Sequence, residues 1–335
     1  MADVLTIHQA GISSVQDLGR FGGSRHGLPA NGALDEFSAR AANVLTGNDE
    51  GAPLIEITML DFSCTPSTDV LIAVTGAPAG VTVGGARQPQ WELLAVRPGE
   101  TVRITDIRRG ARVYLAVSGS LEAQFFLGSC APDTILGFGR SLRDHDELAI
   151  SGDCPPIDHP AFRHPVFRLN APVPHFREAW TIDVTDGPDI EEFGASAERL
   201  FASDYTVTPQ SNHIGLRMRG EVPQRIARGE VLSRGVPVGA VEVPAGGELL
   251  VLHRGRGVTA GYPVLAVVTA TGLSALGQVR PGQNIRFRRR SVDQAVTAYR
   301  AQRNTLHALR ERVRTVFDAV GIPEFDLHNP ARETP

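Results

Sequence analysis

Short apolar runs separated by turn residues dominate the chain. The runs 70–74, 113–117 and 264–268 are apolar and partly β-branched, which is typical of buried strands. Residues 101–105 alternate between apolar and polar side chains, so one face of that strand is expected to be solvated. The 35 glycines and 23 prolines supply tight turns between such strands. The pattern therefore predicts a mainly β fold.

Three segments show the helical period instead. Residues 33–45 place apolar side chains on one face, and Gly47 can end that helix. A second helix is predicted after Asp189, which can cap it. The third begins at a capping box over residues 291–294 and ends at Gly321. Its apolar stripe consists of Leu306, Leu309, Val313, Phe317 and Val320. This stripe must be covered, either by the chain's own barrel or by a partner chain.

A proline-rich segment over residues 153–174 divides the chain. Its six prolines fix φ and lack an N–H donor, which excludes a central strand or a helix interior. We therefore predict an N-terminal domain over residues 1–160, a C-terminal domain over residues 161–290, and a C-terminal helix and tail over residues 291–335.

The amino-acid composition excludes several classes of function. The 335 residues are 42% hydrophobic and 21% charged, which is typical of a globular protein with two cores. A net charge of −4 gives no basic excess for nucleic-acid binding. All 33 basic residues are arginines, since the sequence has no lysine. A Walker A loop, a Schiff-base lysine and a biotin attached to this chain are therefore excluded. Any anion must meet arginine or backbone N–H groups.

Three further features of the sequence each argue against a particular kind of protein or site. Cys64, Cys130 and Cys154 have no paired spacing, so we expect neither a disulfide framework nor a metal site. The start Met1–Val4 has an early acid and no apolar core, which indicates no signal peptide and a cytoplasmic location. The run 257–279 is interrupted by Gly and Pro, so it predicts a buried strand pair rather than a membrane span.

The segment 11–35 is denser in unusual residues than a strand requires. Asp17 and Arg20, three residues apart, can form a buried structural ion pair or jointly hold a polar ligand. Asp35 is expected in the first turn of a helix, where the dipole favours a carboxylate whether or not it has a function.

Two further segments are candidates. The loop 254–263 alternates arginine and glycine, so it can present N–H groups and the Arg256 guanidinium to an anion, or be a solvated loop. In the segment 211–215, His213 can act as a base near neutral pH or be structural. No Gly-x-Ser-x-Gly elbow stands out, so no nucleophile is assigned.

Several of these segments resemble a known family. Residues 14–20, 32–35 and 42–48, together with Glu56, are similar to the opening of allophanate hydrolase subunit 2. The same family is also called KipA, biotin-dependent carboxyltransferase or the C component of 5-oxoprolinase. The resemblance extends to about residue 297. It continues at Gly76-Ala77, Ser118-Gly119, Leu127-Gly128-Ser129, Gly187-Pro188, Leu232-Ser233, Gly261-Tyr262-Pro263 and Arg280-Pro281-Gly282.

The resemblance implies tandem cyclophilin-like β-barrel domains with a few helices. It implies a smaller partner, similar to KipI, to the B component of 5-oxoprolinase or to allophanate hydrolase subunit 1, in a heterodimer or heterotetramer. With a third subunit, such pairs open the ring of 5-oxoproline at the expense of ATP. Related sequences form the carboxyltransferase part of urea carboxylase, which takes a carboxyl group from biotin. KipA itself has a binding role, as an antagonist of a kinase inhibitor.

This chain departs from the family pattern at four places. It has Cys130-Ala131-Pro132 for the usual Arg-Ser-Thr, and Ser211-Asn212-His213-Ile214-Gly215 for Ser-Asp-Arg-Met-Gly. It has Glu242-Val243-Pro244 for Gln-Val-Pro, and residues 257–263 replace Gln-Thr-Thr-Gly-Gly-Tyr-Pro. The second domain has thus lost polar groups that the family keeps.

The leading hypothesis is a subunit of an ATP-dependent amidohydrolase that acts on a cyclic amide or urea-like compound. Phosphorylation of an amide oxygen creates a good leaving group, and this step needs cations for the phosphates and carboxylates for Mg²⁺ or a proton. The catalytic candidates are Asp17, Arg20 and Asp35. The substrate-binding candidates are Gln16, His26, Glu56, Ser211, His213, Arg256, Thr259, Gly261 and Tyr262. A regulatory binding protein and a carboxyltransferase that uses biotin on another chain are the alternatives.

Overall fold

Two compact units make up the protein. The computed structural model describes residues 3–139, 141–151, 168–226, 229–244 and 246–320. The first unit combines the described residues of Met1–Gly19, Glu36–Phe176 and Arg303–Pro335, and the second combines those of Arg20–Asp35 and Arg177–Gln302. Most of the predicted linker, residues 153–167, lies outside the described residues, so the domain limits at 160 and 290 stay a prediction.

Two sheets form the first unit. Its strands are β1 (Val4–Gln9), β2 (Ser13–Gln16), β3 (Leu54–Thr58), β4 (Phe62–Pro66), β5 (Val70–Gly76), β6 (Gly80–Val83), β7 (Ala86–Gln88), β8 (Leu93–Val96), β9 (Val102–Thr105), β10 (Arg112–Val117) and β11 (Glu147–Ala149). One sheet has the order β11-β1-β4-β9-β6-β7 and the other β2-β3-β10-β5-β8. Apolar residues of both sheets, such as Ile7, Ile55, Phe62 and Val113, share one core. The predicted strands at 70–74, 101–105 and 113–117 are confirmed.

Two helices cover the other face of the five-stranded sheet. They are α1 (Glu36–Leu45) and the part of α4 (Val292–Val320) that belongs to the first unit. The predicted stripe residues Leu306, Leu309, Val313 and Phe317 are buried in a cluster with Phe37 of α1 and Leu71 of β5. The stripe is therefore covered within this chain. The predicted helix end at Gly321 lies outside the described residues.

The second unit is a closed barrel. Its strands are β12 (Ala179–Asp186), β13 (Asp204–Val207), β14 (Gly215–Arg219), β15 (Arg234–Gly235), β16 (Ala240–Glu242), β17 (Leu249–Leu252), β18 (Thr259–Ala260), β19 (Val264–Val268) and β20 (Asn284–Arg289). Seven of them close in the order β12-β19-β16-β17-β14-β13-β20, and β15 and β18 pair separately as a short ribbon. The remaining elements are two 3-10 helices (Gly23–His26 and Ile190–Glu198), α2 (Arg199–Ala202) and α3 (Ala270–Leu276).

Three sequence predictions need correction. The helix predicted from residue 33 begins at Glu36, because Asn31 and Gly32 adopt left-handed backbone angles (φ 52° and 87°) that turn the chain first. The helix after Asp189 is mostly 3-10 and is interrupted at Gly194. The uncharged run 257–279 ends in helix α3 rather than in a second long strand, because Thr269 caps that helix by accepting from the Gly272 N–H at 3.1 Å.

The fold class is confirmed as mainly β, with a closed barrel, a few helices and a C-terminal helix. Among the described residues, no helix combines the length and apolar character needed to cross a membrane.

Candidate functional site

Asp17 anchors two loops of the first unit. Its Oδ1 accepts from the Gly19 N–H at 2.7 Å and from the Ser129 hydroxyl at 2.7 Å, and its Oδ2 accepts from the Cys130 N–H at 2.8 Å. Gly19 has a φ of 93°, so the chain turns sharply enough to bring its N–H back to this carboxylate. Asp17 is 5% exposed. The geometry explains a positioning role for this carboxylate, and its predicted catalytic role stays a prediction.

Glu56 is held in the five-stranded sheet of the same unit. The register of β3 and β10 places Tyr114 directly opposite Glu56. The Tyr114 hydroxyl donates to Glu56 Oε2 at 2.8 Å, and Arg112 Nε lies 3.3 Å from Oε1. Gln16 on β2 donates to the Ser14 hydroxyl at 3.0 Å, while its buried Oε1 has no hydrogen-bond partner among the described residues. Gln16 therefore retains an acceptor, whereas both Glu56 oxygens are engaged.

The segment 20–35 packs into the second unit and ends at Asp35. Arg20 is 1% exposed, and its backbone N–H donates to the Ala30 carbonyl at 2.8 Å. Asp35 is buried just before α1, and its Oδ2 accepts from the Gln278 side chain at 2.7 Å. His26 is exposed at the end of a 3-10 helix. Its Nε2 accepts a hydrogen bond from Arg25 Nε at 3.1 Å. The predicted neighbours Asp17 and Arg20 thus belong to different compact units.

The two arginines of the predicted anion loop are buried rather than displayed to solvent. Arg256 Nε and Nη2 donate to the Val236 carbonyl at 3.1 and 2.7 Å, and burial lowers the pKa of Arg256. Arg254 Nη1 donates to the Asn31 carbonyl at 3.3 Å, and the Asn31 N–H donates back to the Arg254 carbonyl at 3.0 Å. Part of the Arg256 guanidinium is therefore already engaged by a backbone carbonyl. Its predicted binding role stays a prediction.

Position 255, between these two arginines, has no room for a side chain. A Cβ at this position would lie 2.3 Å from Cδ2 of His213. His213 itself is exposed, and its carbonyl accepts from the Gly255 N–H at 3.0 Å. The nearby Ser211 hydroxyl accepts from the Arg217 N–H at 3.0 Å. The structure therefore brings the candidate segments 211–215 and 254–263 together, through contacts that stabilise the loop.

The last three predicted residues lie at the ribbon. Thr259 belongs to β18, whose partner is Gly235 of β15. Gly261 and Tyr262 follow, and Tyr262 is 44% exposed. The Tyr262 side chain is thus accessible to a ligand in solution, in contrast to the buried arginines of the preceding loop.

Glu242 is the residue that sequence reasoning left out of the site. It ends β16, is 1% exposed, and neither carboxyl oxygen has a hydrogen-bond partner among the described residues. Strand register places it between Leu250 of β17 and Val264 of β19. Burial raises the pKa of Glu242 to about 7, and Arg234 opposes this effect. The sequence feature that could have identified Glu242 as a site residue is its position as the one acid in the otherwise apolar stretch 240–244.

Asp189 and Arg234 complete a charged cluster with Glu242. Arg234 of β15 forms an ion pair with Asp189. The same carboxylate accepts from the Val264 N–H at 2.7 Å, next to Glu242 in the barrel. We call these three residues the Glu242 cluster. In the described part of the chain, no group of three or more His, Cys, Asp or Glu residues is arranged to hold a metal ion.

Known proteins match most of the chain. A family model described as "Carboxyltransferase domain, subdomain A and B" matches residues 26–289. The C component of 5-oxoprolinase from Escherichia coli (strain K12) is 32% identical over 317 residues, which cover 92% of this chain and 99% of that protein. The solved urea amidolyase of K. lactis gives a TM-score of 0.82 at 26% identity, over 91% of this chain and 20% of that one.

A second solved protein, TTHA0988, gives a TM-score of 0.75 at 33% identity. This match covers 86% of the present chain and 56% of TTHA0988. The chain therefore spans about half of TTHA0988 and a smaller share of the urea amidolyase.

Proposed function

Because this chain belongs to the carboxyltransferase-domain family, whose members include the C component of 5-oxoprolinase, we propose that it is a subunit of an ATP-dependent amidohydrolase complex. The proposed substrate is a cyclic amide or urea-like compound such as 5-oxoproline. The observation that supports this choice is the match over 99% of the E. coli protein, since the match to urea amidolyase covers 20% of that chain.

The proposal includes partners. A protein that is one component of an enzyme acts with others. We propose a smaller partner, similar to KipI or to the B component of 5-oxoprolinase, in a cytoplasmic heterodimer or heterotetramer. The hydrolase would then be active only as the complex. Its reaction consumes ATP because an amide is a poor electrophile until its oxygen carries a good leaving group.

Several charged residues predicted to meet ATP already have protein partners. No lysine is present, and part of the Arg256 guanidinium donates to the Val236 carbonyl. Asp17 and Asp35, the carboxylates proposed for Mg²⁺, already accept hydrogen bonds from protein donors. We therefore propose that ATP with Mg²⁺ is held mainly by another subunit.

A second candidate function is carboxyl transfer. The TM-score of 0.82 against the urea amidolyase structure supports it. In that case the biotin must be carried by another chain, because this one has no lysine to attach it.

An assay of the co-purified complex tests these functions. ATP hydrolysis is measured with 5-oxoproline, urea or allophanate added singly, using the complex of this chain with the product of the neighbouring reading frame. Stimulation by one amide supports the amidohydrolase. A well-formed complex that turns over none of them favours a regulatory binding protein of the KipA type, and carboxyl transfer from free carboxybiotin, which leaves biotin as the second product, supports the second candidate.

A further inference from the structure

The Glu242 carboxyl is buried without a hydrogen bond. Both of its oxygens have almost no solvent contact and no partner among the described residues. Its strand neighbours Leu250 and Val264 belong to an apolar cluster with Val236 and Ala260. A buried polar group without a partner costs free energy, and in native proteins such groups call for an explanation. A ligand that donates hydrogen bonds to this carboxyl provides one.

A cation lies beside this acceptor. Arg234 interacts electrostatically with Glu242 and is paired with Asp189. The Arg234 side chain is 40% exposed, so its guanidinium can also meet a ligand. An acidic acceptor and an arginine at one place match a ligand that carries an N–H donor and an anionic group.

A short element lies beside these groups. The ribbon of β15 and β18 is held by the pairs Arg234–Ala260 and Gly235–Thr259. Val236 and Ala260 pack on the apolar cluster next to Glu242, while Thr259 is exposed. A two-pair ribbon has few backbone hydrogen bonds to break, so it can open at a small cost in free energy.

We propose that Glu242 and Arg234 form a ligand subsite of the barrel unit, which binds a small molecule with a carboxylate next to an amide N–H and is covered by the ribbon. Arg234 binds the carboxylate, and a Glu242 oxygen accepts from the N–H. This inference rests on the proposed function, since 5-oxoproline has this pair of groups on adjacent atoms of its ring. Arg234 would then distinguish such a substrate from urea, which has N–H donors but no carboxylate.

A binding experiment with three ligands tests the subsite. Calorimetry of the full chain in its complex compares 5-oxoproline with N-methyl-5-oxoproline, which lacks the N–H, and 2-pyrrolidinone, which lacks the carboxylate. For Glu242→Leu we expect about tenfold weaker binding of 5-oxoproline and unchanged binding of the N-methyl compound. For Arg234→Gln we expect about tenfold weaker binding of 5-oxoproline and unchanged binding of 2-pyrrolidinone.

Matched variants control for folding. Glu248→Leu removes a partly exposed acid of the same barrel, which pairs with Arg217 at 3.4 Å, and should leave all three affinities unchanged. Glu242→Gln keeps one acceptor oxygen and should retain binding within about threefold. Equal losses of 5-oxoproline and the N-methyl compound in Glu242→Leu, or no loss of either, would overturn the subsite. Absence of 5-oxoproline binding in the unmodified complex would also overturn it.

Turnover separates this inference from the proposed function. If Glu242→Leu leaves the KM for 5-oxoproline unchanged in an active complex, the subsite is wrong and the proposed function stands. If the complex hydrolyses no amide but shows the ligand pattern above, the subsite stands and the proposed function is wrong.

Discussion

Replacing Glu242 by glutamine should stabilise the barrel unit in a pH-dependent way. In the folded protein, burial raises the pKa of this carboxyl from 4.5 to about 7, while the unfolded chain retains the ordinary value. Between these two values the unfolded state releases the proton first, so the stability of the wild-type protein falls as pH rises. At about 1.36 kcal/mol per pH unit, the difference corresponds to a cost of roughly 3 kcal/mol at and above neutral pH.

Glutamine has the same shape and no proton to lose, so it removes this cost. The advantage of Glu242→Gln should be near zero below pH 4.5, grow up to about pH 7, and then remain at roughly 3 kcal/mol. The charged neighbours Arg234 and Asp189 are unchanged in the variant.

Urea unfolding at a series of pH values measures the effect. The chain has two tryptophans, Trp91 in the first unit and Trp180 in the second, so a Trp91→Phe background lets the fluorescence of Trp180 follow the barrel unit alone. Glu248→Gln, which changes a partly exposed acid of the same barrel, serves as control and should show no such pH profile. An advantage of Glu242→Gln that is equal at pH 5 and pH 8 would refute the reasoning.

Three further changes have defined expectations. Gly255→Ala should destabilise the barrel by about 1–3 kcal/mol, because the new Cβ would overlap His213, whereas Gly257→Ala has room and should be nearly neutral in a thermal melt. Asp17→Ala should cost about 2–4 kcal/mol of stability through three lost hydrogen bonds, so an unchanged urea midpoint would contradict its anchoring role. Phe317→Ala should cost about 3–5 kcal/mol by leaving a cavity beside α1, and chemical denaturation of the first unit followed by Trp91 fluorescence checks this.

The periodic spacing of apolar residues predicts the fold better than it predicts the candidate site. The strands at 70–74 and 264–268 and the stripe on α4 follow from local apolar spacing, which burial enforces directly. The start of α1 does not, because the left-handed backbone at Asn31 depends on contacts with Arg254 more than two hundred residues away. Such long-range contacts leave no periodic trace in the sequence.

The site shows the same limit. Sequence proximity predicts that Asp17 acts with Arg20, but it does not reveal the hydrogen bonds that Asp17 accepts from Ser129 and Cys130. The alternation of arginine and glycine predicts an anion site, but it does not reveal that Arg254 and Arg256 donate to backbone carbonyls. The burial of the Glu242 carboxyl among apolar side chains follows from strand register, which the sequence alone does not give. Whether a polar group is satisfied depends on tertiary contacts, which spacing along the chain does not reveal.

The interleaving of the two units has a consequence for biosynthesis. The first unit needs residues 306–317 to cover Phe37 and Leu71, and these leave the ribosome only after the whole barrel has been made. At about 5–20 residues per second, some ten seconds or more separate the synthesis of β11 from that of the covering helix. During this time the nascent chain exposes an apolar sheet face, so its yield in cells should depend on chaperone supply and fall when translation slows.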